Sequence, residues 1–211
     1  MKILLVNGSP HERGCTHVAL TQIATTLTED GIDSEIFHLG AKAISGCRDC
    51  RKCAQLERCV INDRVNDFIK LAQNADGFVF GSPVHYAAAG GAMASFMSRA
   101  FFSASQSGRS KIFRLKPAAA VVSARRAGTT AALDQLNKYF TISEMPIVSS
   151  IYWNMVHGFT PDDVRQDLEG LQIMRVLARN MAWFLKCKLA GHKAGVEEPR
   201  EEERIFTNFI R

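Results

Sequence analysis

KILLVN at residues 2–7 runs directly into GSPHERGCT at residues 8–16, and this junction decides how the chain is read. The apolar run Ile3 to Val6 has the continuous hydrophobicity of a parallel strand buried on both faces. Gly8 and Gly14 let the backbone turn and approach a ligand closely. Thr16 is placed to cap a helix whose apolar positions are Val18, Leu20, Ile23 and Leu27. A helix N-terminus offers free N–H groups and a positive dipole end, which suit an anion. Ser9, His11, Arg13 and Thr16 add side-chain donors. No Gly-x-Gly-x-x-Gly follows the strand and no Gly-Lys-Ser/Thr ends the loop, which argues against a Rossmann dinucleotide site and a nucleotide triphosphatase. A phosphate cradle and an ordinary strand-to-helix turn both stay open on this stretch alone.

Outward from the junction, strand and helix signals alternate. Strands are expected at Ile32–Phe37, Ala75–Gly81, Pro117–Val122 and, briefly, Pro146–Val148. Helices are expected at Val65–Ala75, Gly90–Ser103 and Thr129–Phe140. A long helix should begin at Thr160-Pro161-Asp162-Asp163, where a cap, a first-turn proline and acids coincide. Its apolar face, from Val164 through Leu168, Leu171, Met174, Leu177 and Met181 to Leu185, is continuous. The alternation predicts an α/β fold with a doubly wound, five-stranded parallel sheet and helices on both faces. Ligands of such sheets sit outside the carboxyl ends of the strands, at the switch point. The loops Gly8–Thr16, Gly81–Gly91 and Ser123–Thr130 are therefore the functional candidates.

A chain of 211 residues is long enough for one full α/β core. It has no apolar run of membrane-spanning length, and because its first residues read as a core strand no leader is expected. A cytoplasmic protein without membrane contact is expected. The net charge of +5 is spread rather than gathered with aromatics, so nucleic-acid binding is not expected. The charge suits a basic pocket for an anionic cofactor or a pyridine nucleotide as well as a solvated face. Hydrolytic chemistry has no support, because no Ser-His-Asp order, carboxylate pair or His-Glu-x-x-His is present.

The second candidate loop carries Ser82-Pro83, a stiff turn, then Val84 and the flat rings His85 and Tyr86, then small residues from Ala87 to Gly91. A planar ligand would find aromatic contact and backbone N–H groups there. The third carries Ser123, Ala124, the paired Arg125 and Arg126, and Gly128. Paired arginines suit anionic groups or solvent equally.

Gly8-Ser9-Pro10 with Thr16, Gly81-Ser82-Pro83-Val84 with Tyr86, and Ser123-Ala124-Arg125-Arg126 together resemble the NADPH-dependent FMN reductase-like branch of the flavodoxin-like superfamily. The resemblance spans nearly the whole chain and implies a single flavodoxin-like domain over 1–211, usually a homodimer or homotetramer. It implies that Ser9, His11, Arg13, Cys15 and Thr16 hold the FMN phosphate. Pro83, Val84, His85, Tyr86 and Ala87 would face the flavin, and Ser123, Ala124, Arg125, Arg126 and Gly128 would close the far edge. Where many relatives carry Asn, this chain has Cys15, a poorer hydrogen-bonding group, so the backbone N–H there matters more.

Between the second strand and the next helix lies a cysteine-rich loop, 45–62, with Cys47, Cys50, Cys53 and Cys59 spaced by two, two and five residues. A chain expected in the cytoplasm is a poor candidate for structural disulfides. The spacing suits a compact 4Fe–4S cluster, and Arg48, Arg51, Lys52 and Arg58 would offset its charge. Zinc, and reduced thiols with a packing or redox-sensing role, remain alternatives. The motif and its place also resemble the iron–sulfur flavoproteins of the same superfamily.

Tyr152-Trp153-Asn154-Met155-Val156-His157-Gly158 is read as either a lid over the flavin or a hydrophobic anchor for the long helix. His17 is read as structural. The expected function is that of an FMN-binding oxidoreductase, NAD(P)H-dependent, delivering electrons to a quinone, a free flavin or an electron-carrier protein. The alternatives are an iron–sulfur flavoprotein electron carrier and a non-enzymatic redox sensor.

Overall fold

The computed structural model describes residues 1–207 and 209. Strand β1 (Lys2–Asn7) feeds helix α1 (Cys15–Glu29), and β2 (Asp33–His38) follows. The cysteine loop contains one short helix, α2 (Cys53–Leu56), before α3 (Arg64–Ala72). Next come β3 (Gly77–His85), a two-residue β4 (Ala88–Ala89) and α4 (Gly91–Gln106). The remainder is β5 (Ala118–Ala124), α5 (Thr129–Ile142), β6 (Met155–His157), α6 (Pro161–Gln166) and α7 (Leu168–Lys193). The sheet order is β2-β1-β3-β5-β6, with β4 turned back antiparallel onto β3. Every other pairing is parallel. This is the doubly wound flavodoxin-like order, whose direction reverses between β1 and β3.

Strand alternation splits the core into two layers. Ile3 and Leu5 of β1 face α1 and α7, among Leu20, Ile23, Met174 and Leu177. Leu4 and Val6 face α3, α4 and α5, among Phe68, Phe96 and Phe140. In the second layer Phe78 and Phe80 of β3 stand beside Ala118 and Ala120 of β5. The small neighbours make room for Phe113, 5.4 Å from Phe78, and Phe140, 5.4 Å from Phe80. Large residues beside small ones is how a sheet face interlocks with helices at crystal-like density. Among the described residues no helix is long and apolar enough to cross a membrane.

Three expectations are corrected. Thr16 does not cap α1: Gly14 occupies the N-cap without a side-chain bond, and Thr16 is turned inward and buried. The fifth strand is not 146–148, where Ile147 makes only an isolated bridge to Ala118. Pro146 has no N–H to give a ladder, and pairing resumes at Met155–His157 against Val122–Ala124, where Met155 and Val156 are buried. The intervening Tyr152 and Trp153 are exposed, their rings 4.7 Å apart. The long helix is two helices, α6 and α7, broken at Asp167. There the carboxylate accepts from His157 N (2.6 Å) and, as the N-cap of α7, from Gly170 N (2.9 Å). At the C-terminal side, Glu198 pairs with Lys188 (2.9 Å) and Pro199 O accepts from Arg114 (3.1 Å), which ties the charged tail to the body.

Candidate functional site

A cleft of about 930 Å³ opens at the carboxyl ends of β1, β3 and β5, beside the switch point. Its floor is the loop between β1 and α1. Asn7, fully buried, shapes that loop: its amide donates to Glu12 O (3.0 Å) and its side-chain carbonyl accepts from Ser9 N (3.1 Å). Ser9 Oγ accepts from His11 N (3.1 Å), and Gly14 N donates to His11 O (3.2 Å). His38, at the end of β2, donates from Nε2 to Ser9 O (2.8 Å). Arg64 in turn donates to His38 O (2.7 Å). The loop is thus fixed from three sides, while the first-turn N–H groups of α1 have no intrahelical partner and face the cleft end of the helix.

Two glycines permit the close approach of β1, β3 and α1. Gly8 N donates to Gly81 O at 2.8 Å, and a Cβ on Gly8 would lie 2.6 Å from Met93 Cε. A Cβ on Gly81 would lie 2.8 Å from Thr16 Cγ2. Thr16 Oγ1 and Ser123 Oγ share a buried hydrogen bond of 2.8 Å, which joins the first loop to the third. Cys15 Sγ lies 3.8 Å from Gly158 O. Burial raises the Cys15 thiol above its ordinary value, with Asp163 adding to the effect, so an uncharged thiol borders the helix N-terminus. Burial and the charge of Arg13 together hold His17 below the ordinary imidazole value.

Of the residues picked from sequence, Ser9, His11, Arg13, Cys15, Thr16, Pro83, Val84, His85, Ser123, Ala124 and Arg125 line this cleft. Tyr86, Ala87, Arg126 and Gly128 do not. For Tyr86, Ala87 and Gly128 the reason is a tight hairpin. Val84 pairs with Ala89 and His85 with Ala88, leaving Tyr86 and Ala87 as a two-residue turn with φ of 50° and 61°. That turn points the Tyr86 ring wholly into solvent. Gly128, at φ 89°, backs against it, and a Cβ there would sit 2.4 Å from Ala87 Cα. Tyr152 and Trp153 also lie outside the cleft lining, so neither forms a lid over it within the chain.

Glu12 and Phe159 line the cleft without having been singled out; Pro10, Pro161 and Gly158, the last residue of the stretch read as a lid or an anchor, line it as well. Arg125 lies over the Phe159 ring at 6.0 Å. Asn7 and His38 carried one legible signal, a polar residue closing a strand, but nothing in sequence tells which loop each supports.

The four cysteines line a second, small cavity of about 30 Å³ with Arg48, Arg51, Arg99, Val60, Ile61 and Phe102 among its walls. Cys53 is buried at the start of α2, Cys59 is half-buried, and Cys47 and Cys50 are exposed. Burial, then the neighbouring Cys59 and Cys50, raises the Cys53 thiol. Among the described residues no group of three Cys, His, Asp or Glu is arranged to hold a metal ion. The donor set itself suits a soft-metal centre: four thiols border one cavity, arginines offset negative charge, and Asp49 N donates to Cys47 Sγ at 3.4 Å. Sequence reading missed Arg99 of α4, whose side chain is 1% exposed and is paired with Asp63.

The family model for NADPH-dependent FMN reductases matches residues 1–160. An iron–sulfur flavoprotein of Methanocaldococcus jannaschii is 27% identical over 191 residues, covering 88% of this chain and 98% of that one. Another, from Archaeoglobus fulgidus, is 26% identical over 200 residues, covering 90% of this chain and 99% of that one. Among solved structures, RosB with bound 8-demethyl-8-formylriboflavin-5'-phosphate superposes with a TM-score of 0.68 at 13% identity, covering 100% of this chain and 92% of that one.

Proposed function

Because the chain belongs to the NADPH-dependent FMN reductase family, we propose that it binds FMN in the cleft above β1, β3 and β5 and acts there as an NAD(P)H-dependent oxidoreductase. The observation that carries this reading is the loop from Gly8 to Cys15, held in shape by Asn7, Ser9 and His38 around the open N-terminus of α1. Preorganised N–H groups at a helix N-terminus are suited to a phosphate. FMN, when bound, supplies the means to take up a hydride from a nicotinamide and to release its two electrons singly.

The chain's own residues bind, orient and enclose. Ser9 and Arg13, with the first-turn N–H groups of α1, would hold the phosphate. Thr16 and Ser123 spend their hydroxyls on one another, so Thr16 serves by its N–H and by fixing the helix. Cys15, kept as a neutral thiol, places no negative charge against the phosphate. Pro83, Val84 and His85, which line the cleft, would face the ring, and Arg125, also in the lining, would supply positive charge to it. Such a charge favours the anionic reduced flavin.

A second reading joins the first, favoured by four thiols bordering one cationic cavity. In it Cys47, Cys50, Cys53 and Cys59 would hold a 4Fe–4S cluster, which would supply one-electron transfer toward a carrier protein, a quinone or a free flavin. The names of the two archaeal relatives support it. A homodimer or homotetramer fits the exposed apolar residues Ile151, Tyr152, Trp153 and Phe159.

The test is the absorption spectrum of protein purified without oxygen, with iron and acid-labile sulfide assayed on the same sample and NAD(P)H oxidation followed alongside. Flavin with NAD(P)H turnover is the expected result, and about four irons per chain would add the cluster. Absence of flavin, with none taken up on adding FMN, overturns the reading.

A further inference from the structure

We propose that Arg99 is the positioning residue of the cysteine site: it closes the loop around Cys59 and sets the positive, hydrogen-bond-donating end of its ion pair with Asp63 against the Cys59 sulfur, which raises the reduction potential of a cluster held there. This rests on the cluster reading above. A guanidinium that is 1% exposed is costly unless compensated. Asp63 compensates the charge with two bonds, Nη1 to Oδ2 (2.6 Å) and Nη2 to Oδ1 (2.9 Å). The other contacts of Arg99 all fall on the cysteine loop. Nη1 donates to Ser45 O (3.3 Å), ahead of Cys47, and Nη2 to Ile61 O (3.0 Å), beyond Cys59. Nη2 also lies 3.3 Å from Cys59 Sγ. One side chain on α4 therefore ties both ends of the loop and touches one of its sulfurs.

Asn66 completes the frame. It accepts from Cys59 N (3.1 Å) and donates to Cys59 O (2.9 Å) and Ile61 O (3.2 Å). Cys59 is thus held by two buried side chains, while Cys47 and Cys50 are exposed. Loop closure alone needs no charge; an arginine against sulfur adds an electrostatic role. Nε of Arg99 is buried without a partner, so the guanidinium is not fully satisfied by the loop. Positive charge and donated hydrogen bonds near cluster sulfurs stabilise the reduced, more negative state.

The experiment compares wild type, R99K, R99Q and the charge-neutral double variant R99M/D63N, each full-length and reconstituted anaerobically with iron and sulfide. Iron and sulfide per chain, flavin content and the cluster midpoint potential are measured. R99Q and R99M/D63N should keep wild-type flavin and bind less iron. What iron they hold should show a lower potential, equivalent to about a tenfold change in the reduced-to-oxidised ratio, or roughly 59 mV for one electron. R99K should keep more of the potential than R99Q. If R99Q does not fold, the double variant, which leaves no unpaired buried charge, carries the comparison. Iron in the wild type with an unchanged potential in the charge-removed variants overturns the assignment alone. No iron in the reconstituted wild type overturns the cluster reading and the assignment together.

Discussion

Thr16 Oγ1 and Ser123 Oγ lie 2.8 Å apart in the buried seam between the first turn of α1 and the carboxyl end of β5. The bond crosses the switch point and fixes the distance between two walls of the cleft. Removing either hydroxyl leaves the other buried and unpaired. T16V or S123A should therefore each cost about 1–3 kcal/mol of stability. The double variant should cost less than the sum, because the pair acts as a unit. Urea unfolding of the set, with FMN titration beside it, measures both.

Gly81 admits no side chain. A Cβ there meets Thr16 Cγ2 at 2.8 Å and Leu20 at 3.1 Å. G81A should cost about 1–3 kcal/mol by overpacking and should weaken FMN binding, because α1 must move away from β3. Denaturant unfolding and fluorescence titration with FMN check the two effects.

Tyr86 and Ala87 occupy left-handed backbone that glycine or asparagine adopts more easily. A87G should stabilise the protein by about 0.5–1 kcal/mol, the relief of strain exceeding glycine's entropy cost. G128A should do the reverse, by about 2 kcal/mol or more, since it meets both a positive φ and the Ala87 backbone. Thermal melts of the two variants should move in opposite directions.

Asp63 both caps α3, accepting from Val65 N at 3.1 Å, and neutralises Arg99. D63N keeps a capping oxygen but strands a buried guanidinium. It should cost about 3–5 kcal/mol, visible as a lowered urea midpoint with the transition slope unchanged.

Cys15 has a folded-state value above its ordinary 9.0. A thiol that holds its proton more tightly when folded contributes stability that is whole below pH 9.0 and lost as pH rises through the folded value. Flavin-free protein should therefore lose stability from about pH 9 upward, and C15S should remove that part of the slope. Urea midpoints measured across that range decide it.

The sheet was legible because buried parallel strands announce themselves. Ile3 to Val6 and Phe78 to Phe80 are apolar without alternation, and both lie at the sheet's centre. The edge strand was not, since Met155–His157 is short and takes its pairing from β5 rather than from its own composition. Thr16 misled for a related reason: its type suits a cap, but only the packed fold supplies Ser123 as a better partner. The hairpin at Tyr86 and Ala87 lacks the Gly or Asn that signals such turns, so its outward direction was hidden.

By itself, then, the sequence determined the layered α/β order, the strand-to-helix loop at the head of α1 and the cluster of cysteines. These are local: each rests on hydrophobic period, turn residues or spacing along the chain. The tertiary structure alone decided which side chains meet. It turned Tyr86 out of the cleft, set Asn7 and His38 beneath the loop, and brought Arg99 from α4 to Cys59 across a sequence distance of forty residues. Those contacts depend on burial, where an unpaired polar group is costly enough to select its partner, and no local pattern records that choice.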